Sequence, residues 1–416
     1  MVLFARFAER LVQDGDLHIE DVDGRTYRFG NGTGTRVKIK MHSKLFPWKV
    51  LLHPNMALPE GYMNGEFSIA EGEIRDLLDL VKRNAALRYG TRHRKHSGFT
   101  QRLLRYILEH NPVGRAQKNV SHHYDLDGGL YDLFLENDKQ YSCAYFIDPD
   151  ATLEAAQTAK KRHLASKLRI EPGHRVLDIG CGWGGLAIYL AQQTGAKILG
   201  VTLSREQHKI ASERVRQMGL DEQIEIRLQD YREVEERFDR IVSVGMFEHV
   251  GVKHYGEFFN TVYRRLEDDG VALLHTIGRL GCPQMTHPWI RKYIFPGGSL
   301  PSLSQMVPYI EASGLLTCDV EILRLHYAKT LEHWAARFKA NRNKARQLYD
   351  ERFCRMWEVY LLSCIFAFHY DYLANFQVQM TKRLDTLPLC RDYMLDWERA
   401  EAGADVERPF LARQSG

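Results

Sequence analysis

Asp178, Gly180, Gly182, Gly184 and Gly185 follow the apolar pair Val176-Leu177 and open an apolar helical pattern at 185–191. Glycines at such a turn allow a sharp reversal and let backbone N–H groups approach a ligand closely. Gly180, Gly182 and Gly185 also satisfy GxGxxG, so a dinucleotide site competes with other nucleoside sites. Two features decide. Asp178 lies on the strand just before the glycines, the pattern of S-adenosylmethionine sites. The next strand ends Val201-Thr202-Leu203-Ser204, without the acid that grips the ribose of NAD. Ser204-Arg205-Glu206-Gln207 reads as a capping box, with Ser204 as N-cap and Gln207 at N3, and this is compatible with polar contacts to a cofactor. At the third strand end, Asp230 and Tyr231 are placed to meet an adenine, and Asp230 serves equally as a turn residue.

Other reactive residue types are read one by one. Cys143 has no base beside it in sequence, so no nucleophile role is read for it, and a buried, inert thiol competes evenly with a functional one. His275 ends an apolar strand in HxIG, where a satisfied core histidine competes with a functional one. Glu248-His249 resembles a metal pair only superficially, because adjacent helical residues diverge and no third ligand follows. The seven cysteines are scattered and lack CxxC spacing. That argues against a disulfide framework or zinc site and fits a reducing cytoplasm.

These residues need elements to hold them. From about residue 151 the pattern alternates strand and helix: 174–180, 184–195, 196–203, 204–219, 224–230, 238–247, 252–270 and 271–278. Such alternation implies right-handed crossovers and an α/β fold with a parallel sheet, ligands binding beyond the carboxyl ends of the strands. The first hundred residues differ. An amphipathic helix at the start, a hairpin turning at Asp23-Gly24, strands at 36–43 and 48–54 and a helix at 71–87 suggest a small α+β domain. The expected division is 1–84, a basic linker helix at 85–118 and a catalytic domain at 119–416.

The chain has 416 residues and a formal net charge of +4. Arg88, Arg92, Arg94, Lys95, Arg102, Arg105, Arg115 and Lys118 crowd one stretch, opposed by Glu109 and interleaved with apolar residues. This reads either as a solvated linker or as a surface for anionic lipid or nucleic acid. No secretory signal is recognised, and the longest apolar run, 359–368, is too short to cross a bilayer.

YSCAYF at 141–146, VLDIGCGWGGLA at 176–187, VTLSREQ at 201–207, VGMFEHVG at 244–251, LLHTIG at 273–278 and KYIFPGGSLPS at 292–302 resemble the cyclopropane-fatty-acid synthase family, which includes the mycolic acid cyclopropane synthases. The likeness runs in order from about residue 120 to 382. The amino-terminal region resembles the small lipid-associating domain of the phospholipid enzymes. The resemblance implies a Rossmann-like class I methyltransferase domain with a mostly parallel seven-stranded sheet. It also implies transfer of a methylene carbon from S-adenosylmethionine to the cis double bond of an unsaturated phospholipid acyl chain, giving a cyclopropane. By the same resemblance, bicarbonate accepts the proton, in a pocket of Cys143, Glu248, His275, Ile277 and Tyr327. The cofactor contacts it implies are Tyr141, Ser142, Gly180, Gly182, Thr202, Leu203, Gln207 and Tyr231. Asp178 and Asp230 are added from the strand ends alone. Phe247, Tyr293 and Phe295 are candidates to face a cation, with core packing favoured for each. Segment 279–301 is expected to cover an acyl-chain tunnel. The helical stretch 330–376 is expected to wall it or pack on the sheet. A homodimer bound peripherally to the inner, anionic membrane face is expected, with no nucleic-acid partner. The alternative outcome is the same transfer giving a methyl- or methylene-branched chain. A silent lipid-binding module is disfavoured by intact Asp178, Glu248 and His275. A nucleic-acid methyltransferase is disfavoured by the lack of its usual motifs.

Overall fold

The computed structural model describes residues 1–89 and 128–407, so most of the basic stretch lies outside the described residues. The chain divides into two units, each discontinuous in sequence.

The first unit draws on Met1–His96, Thr286–Pro296 and Leu331–Leu373. Its sheet has the order β2-β1-β3-β4, with β1 at Asp16–Glu20, β2 at Thr26–Phe29, β3 at Arg36–Met41 and β4 at Phe67–Glu71. The expected β1–β2 hairpin is present, and Gly24 in its turn has φ of +84°. Alternate residues Leu17, Ile19, Val37, Ile39 and Met41 are buried with Phe4 and Ala8 of helix Val2–Leu11. The strand expected at 48–54 is instead helix Phe46–Leu52 followed by helix Pro54–Met63. Phe46 and Val50 are buried while Leu45, Trp48 and Leu52 are exposed. That is a helical period, and Pro47 suits a first turn, where its missing N–H has no partner to lose.

Segment 331–373 belongs to this unit, although a single catalytic domain at 119–416 was expected. The reason lies in its packing. Helix Glu351–Tyr370 lies against helices Pro54–Met63 and Ile74–Tyr89. Glu358 accepts bonds from Tyr62 Oη at 3.3 Å and Arg342 Nε at 2.6 Å. Trp289 is buried with its indole N–H 3.2 Å from Met63 Sδ. Tyr293 donates to Glu60 at 2.7 Å. These aromatics are packed within the first unit.

The second unit draws on Ser97–Met285, Gly297–Thr330 and Ala374–Gly416. Its seven-stranded sheet uses β5 (Arg175–Ile179), β6 (Lys197–Thr202), β7 (Ile224–Leu228), β8 (Phe238–Val244), β9 (Leu266–Arg279), β10 (Leu316–Ile322) and β11 (Leu373–Thr381), in the order β10-β11-β9-β8-β5-β6-β7. The pairs β5–β6, β6–β7, β5–β8 and β8–β9 are parallel, and β10–β11 is antiparallel. Successive side chains of β5 enter opposite cores. Val176 joins Leu164, Leu186 and Leu273, while Leu177 and Ile179 join Phe258, Phe259 and Met306. This is the mostly parallel α/β sheet with helices on both faces that the alternation predicted. Two boundaries moved. β9 starts at Leu266, earlier than expected, and the end of the stretch read as helical to 376 is already strand from Leu373.

Candidate active site

One cavity opens beyond the carboxyl ends of β5, β6 and β8. All ten residues expected to meet the cofactor line it: Tyr141, Ser142, Asp178, Gly180, Gly182, Thr202, Leu203, Gln207, Asp230 and Tyr231. The turn after β5 is fixed by backbone bonds from Gly180 N and Cys181 N, both to Val201 O, at 2.9 and 3.0 Å. Gly180 has φ of +82°, and a Cβ there would lie 2.8 Å from Met246. A side chain is therefore excluded twice, by backbone conformation and by space.

Local chemistry sets the other walls. Ser204 caps helix Arg205–Gln217, accepting from Gln207 N at 3.2 Å. The Gln207 side chain accepts from Thr202 Oγ1 at 2.9 Å, which fixes it at the end of β6. Asp230 is tied to Arg232, 2.7 Å away, and caps the short 3-10 turn Tyr231–Glu233, as the turn reading anticipated. Asp178 is buried, and its Oδ2 has no partner among the described residues. Burial pushes its carboxyl up to about 7, against the pull of Lys160.

Residues 140–142 are held by helix Leu153–Leu168, which the sequence reading did not identify. Gln157 Nε2 donates to the carbonyls of Gln140 and Ser142 at 3.1 and 3.0 Å. Lys160, at 0% exposure, donates to Ser142 Oγ at 3.0 Å and to Gln140 Oε1. Burial and neighbouring Lys161 push its pKa down to about 8, with Glu136 and Asp138 opposing. Nothing local marks Lys160, because its acids lie elsewhere in the chain. Gln140, Trp183, Met246 and Arg232 also line the cavity unpredicted.

The five remaining candidates fall into two groups, Glu248 with His275 and Ile277 on β9, and Cys143 with the segment of Tyr327. Glu248 Oε1 accepts from Ile277 N at 2.6 Å, while Oε2 is buried with no partner among the described residues. Burial pushes this carboxyl up to about 7, with the backbone N–H groups of Ile277 and Glu248 and the Thr276 hydroxyl acting against it. His275 lies two residues before Ile277 on β9. Its Nδ1 meets Gln377 Nε2 at 3.1 Å, and its Nε2 has no partner among the described residues. Burial holds its pKa well below the usual value. Cys143 is buried, its thiol pushed up by desolvation and directed to Ala144 O at 3.4 Å. Tyr327 is buried on the segment whose Thr330 Oγ1 accepts from Ala144 N at 3.0 Å. That bond brings the Cys143 and Tyr327 segments together. Phe247 is stacked 4.5 Å from Tyr255 inside the core. Among the described residues no group of three or more His, Cys, Asp or Glu is arranged to hold a metal, and no helix is long and apolar enough to cross a membrane.

The family model described as mycolic acid cyclopropane synthetase matches residues 113–378. The chain belongs to this family. A second model, for a domain of unknown function, matches 10–89. The cyclopropane-fatty-acyl-phospholipid synthase of Escherichia coli K12 is 38% identical over 383 residues, 88% of this chain and 97% of that one. A probable fatty acid methyltransferase of Pseudomonas putida is 41% identical over 63% of this chain and 68% of its own length. The crystal structure of mycolic acid cyclopropane synthase CmaA1 with SAH and CTAB superimposes with a TM-score of 0.61 at 35% identity, covering 65% of this chain and 99% of that one. The family is one of S-adenosylmethionine-dependent methyltransferases, and the class I fold expected from the motifs is the fold observed.

Proposed function

We propose that this chain takes S-adenosylmethionine in the cavity beyond β5 and β6 and converts a cis double bond of a phospholipid acyl chain to a cyclopropane. The observation that carries the reading is a pair of buried, unsatisfied atoms, Glu248 Oε2 and His275 Nε2, close in sequence to the cavity residue Met246 and on the adjacent strand β9. Each such atom costs about 1–3 kcal/mol unless a ligand satisfies it.

S-adenosylmethionine would supply an electrophilic methyl carbon. Tyr141, Ser142, Asp178, Gly180, Gly182, Thr202, Leu203, Gln207, Asp230 and Tyr231 would hold it. An alkene has no proton to remove beforehand, so the protein's task is to orient two reactants and exclude water. The apolar lining of Ile179, Leu186, Met246 and Val250 suits exclusion. Overall, the carbon–sulfur bond breaks, the acyl chain gains CH2, and one proton leaves.

Bicarbonate, with a donor O–H and acceptor oxygens, would suit the unsatisfied Glu248 Oε2 and His275 Nε2. Glu248 and His275 would hold it, and Tyr327 and Cys143 are the further residues that the family resemblance assigns to it. Bound there it would supply a base that the sulfonium does not alkylate. Glu248 would accept its O–H through Oε2, and Ile277 N–H would fix the Glu248 carboxyl through Oε1.

Peripheral attachment to the inner membrane face is part of the proposal. Leu45, Trp48 and Leu52 are 65%, 52% and 71% exposed at the i, i+3, i+7 spacing of one helix face, flanked by Lys44 and Lys49. Apolar and aromatic residues beside lysines suit an anionic bilayer surface. A homodimer would double that contact.

The test is lipid analysis by gas chromatography and mass spectrometry in a host that makes unsaturated phospholipids. Expression should add CH2 to monounsaturated chains with loss of the double bond. Addition of the carbon with the double bond retained would overturn ring closure.

A further inference from the structure

Helix Leu153–Leu168 carries a buried ionic chain that the chemistry above leaves unused. At one end His163 lies between two carboxylates, Nε2 2.6 Å from Glu321 Oε2 and Nδ1 2.8 Å from Glu398 Oε1. Two acceptors require both ring nitrogens to donate, so the ring is an imidazolium. Burial opposes that charge, and the two carboxylate bonds outweigh it and raise the pKa. Glu321 also accepts from Lys167 Nζ. Burial works against this carboxylate, yet His163 and Lys167 bring it down to about 2.

Lys167 is buried and donates a second bond, 2.6 Å, to Gln377 Oε1. An ammonium only donates, which fixes the Gln377 amide with its oxygen toward Lys167 and its NH2 toward His275. That NH2 lies 3.1 Å from His275 Nδ1. An amide NH2 also only donates, so Nδ1 is the acceptor. A neutral ring with a bare Nδ1 carries its proton on Nε2. The other ring states are disfavoured. A proton on Nδ1 would face donor against donor in a dry site. An imidazolium meets the same clash and, besides burial, the charges of Lys160, Lys167 and His163, against the opposing pull of Glu321.

We propose that Lys167 and Gln377 are positioning residues that lock His275 in its Nε2–H tautomer, so that the ring offers a donor to an anionic ligand near Glu248. The identity of the ligand rests on the proposed function, whereas the tautomer does not. An amide at 377 is the device. A carboxylate there would accept from Lys167 and from the ring alike, moving the proton to Nδ1 and leaving a lone pair, or a second proton, at Nε2.

Nitrogen-15 NMR of histidine-labelled protein reads the tautomer, with His275 assigned by its loss in His275→Gln. The wild type is expected to show Nε2 protonated and Nδ1 bare, and a proton on Nδ1 would overturn the proposal. In Gln377→Glu the ring should gain a proton on Nδ1. Turnover should fall by about 10²- to 10⁴-fold, while SAH affinity by calorimetry is unchanged. Gln377→Leu, which removes the donor without adding an acceptor, should give a mixed ring. Either variant retaining the pure Nε2–H form would sink the lock. Should the tautomer be as stated in a protein that transfers no carbon to lipid, the functional reading falls and the lock stands. A Nδ1–H ring in an active enzyme would do the reverse.

Discussion

The glycine-rich cavity and the buried ionic chain belong to the same unit and are built by opposite means. The cavity is shaped largely by backbone and by neighbours in sequence, namely the β5 turn, the Ser204 cap and the Asp230–Arg232 pair, with residues 140–142 held by helix Leu153–Leu168 as the exception. The ionic chain joins residues far apart, 210 positions between Lys167 and Gln377, 102 between Gln377 and His275, and 235 between His163 and Glu398. The first shapes a space with groups whose bonding is settled locally. The second fixes protonation states, which only charges gathered by the whole fold can do.

Four substitutions or titrations separate the two. The largest effect belongs to Glu248→Gln, which keeps an acceptor for Ile277 N–H and removes the free carboxylate oxygen. Turnover should drop by about 10³-fold, about 4 kcal/mol of transition-state stabilisation, with SAH affinity preserved. Steady-state kinetics with calorimetry checks this, and wild-type rates would remove Glu248 from the anion site.

The same variant tests protonation in the folded state. Glu248 is raised from 4.5 to about 7, so the native protein holds a proton that the unfolded chain has released. Stability from this group is full below 4.5 and falls as pH rises to about 7, by a total on the order of 3 kcal/mol. Chemical denaturation should therefore find Glu248→Gln more stable than wild type at pH 8 and equal to it at pH 4.5. Equal stability at both values would mean an unperturbed carboxyl.

Lys167→Met breaks the ionic chain in its middle. A broken buried pair costs about 3–5 kcal/mol. Here about 2 kcal/mol is expected, because His163 still compensates Glu321. Urea unfolding measures it, and no loss would mean that Lys167 does not matter to the fold. The smallest effect is expected in the locally built cavity. Ser204→Ala removes one cap and should cost about 1 kcal/mol with little change in turnover. A loss of turnover as large as that of Glu248→Gln would erase the contrast between the two regions.

The same contrast explains what could be read without coordinates. Asp178, the glycines and Gln207 announced themselves because strand ends, turns and caps carry short-range signatures, whereas Thr202 came from the family resemblance. Lys160, Lys167 and Gln377 carried none. A lysine in Ala-Lys-Lys-Arg-His reads as a solvated face until Glu136, Glu321 and Glu398 arrive from other elements. Segment 331–373 was misassigned for a related reason, since its aromatic periodicity shows that the helices bury a face but not which unit receives it. Helix Phe46–Leu52 was taken for a strand because an apolar run that short fits either period.

The central claim is ring formation at a lipid double bond. The most direct measurement incubates purified protein with vesicles of unsaturated phospholipid and S-adenosylmethionine bearing a CD3 methyl group, then analyses the released acyl chains. The account predicts a saturated chain with a cyclopropane carrying CD2, one deuteron having been lost as the ring closes. A product that keeps CD3, or keeps the double bond, would contradict it.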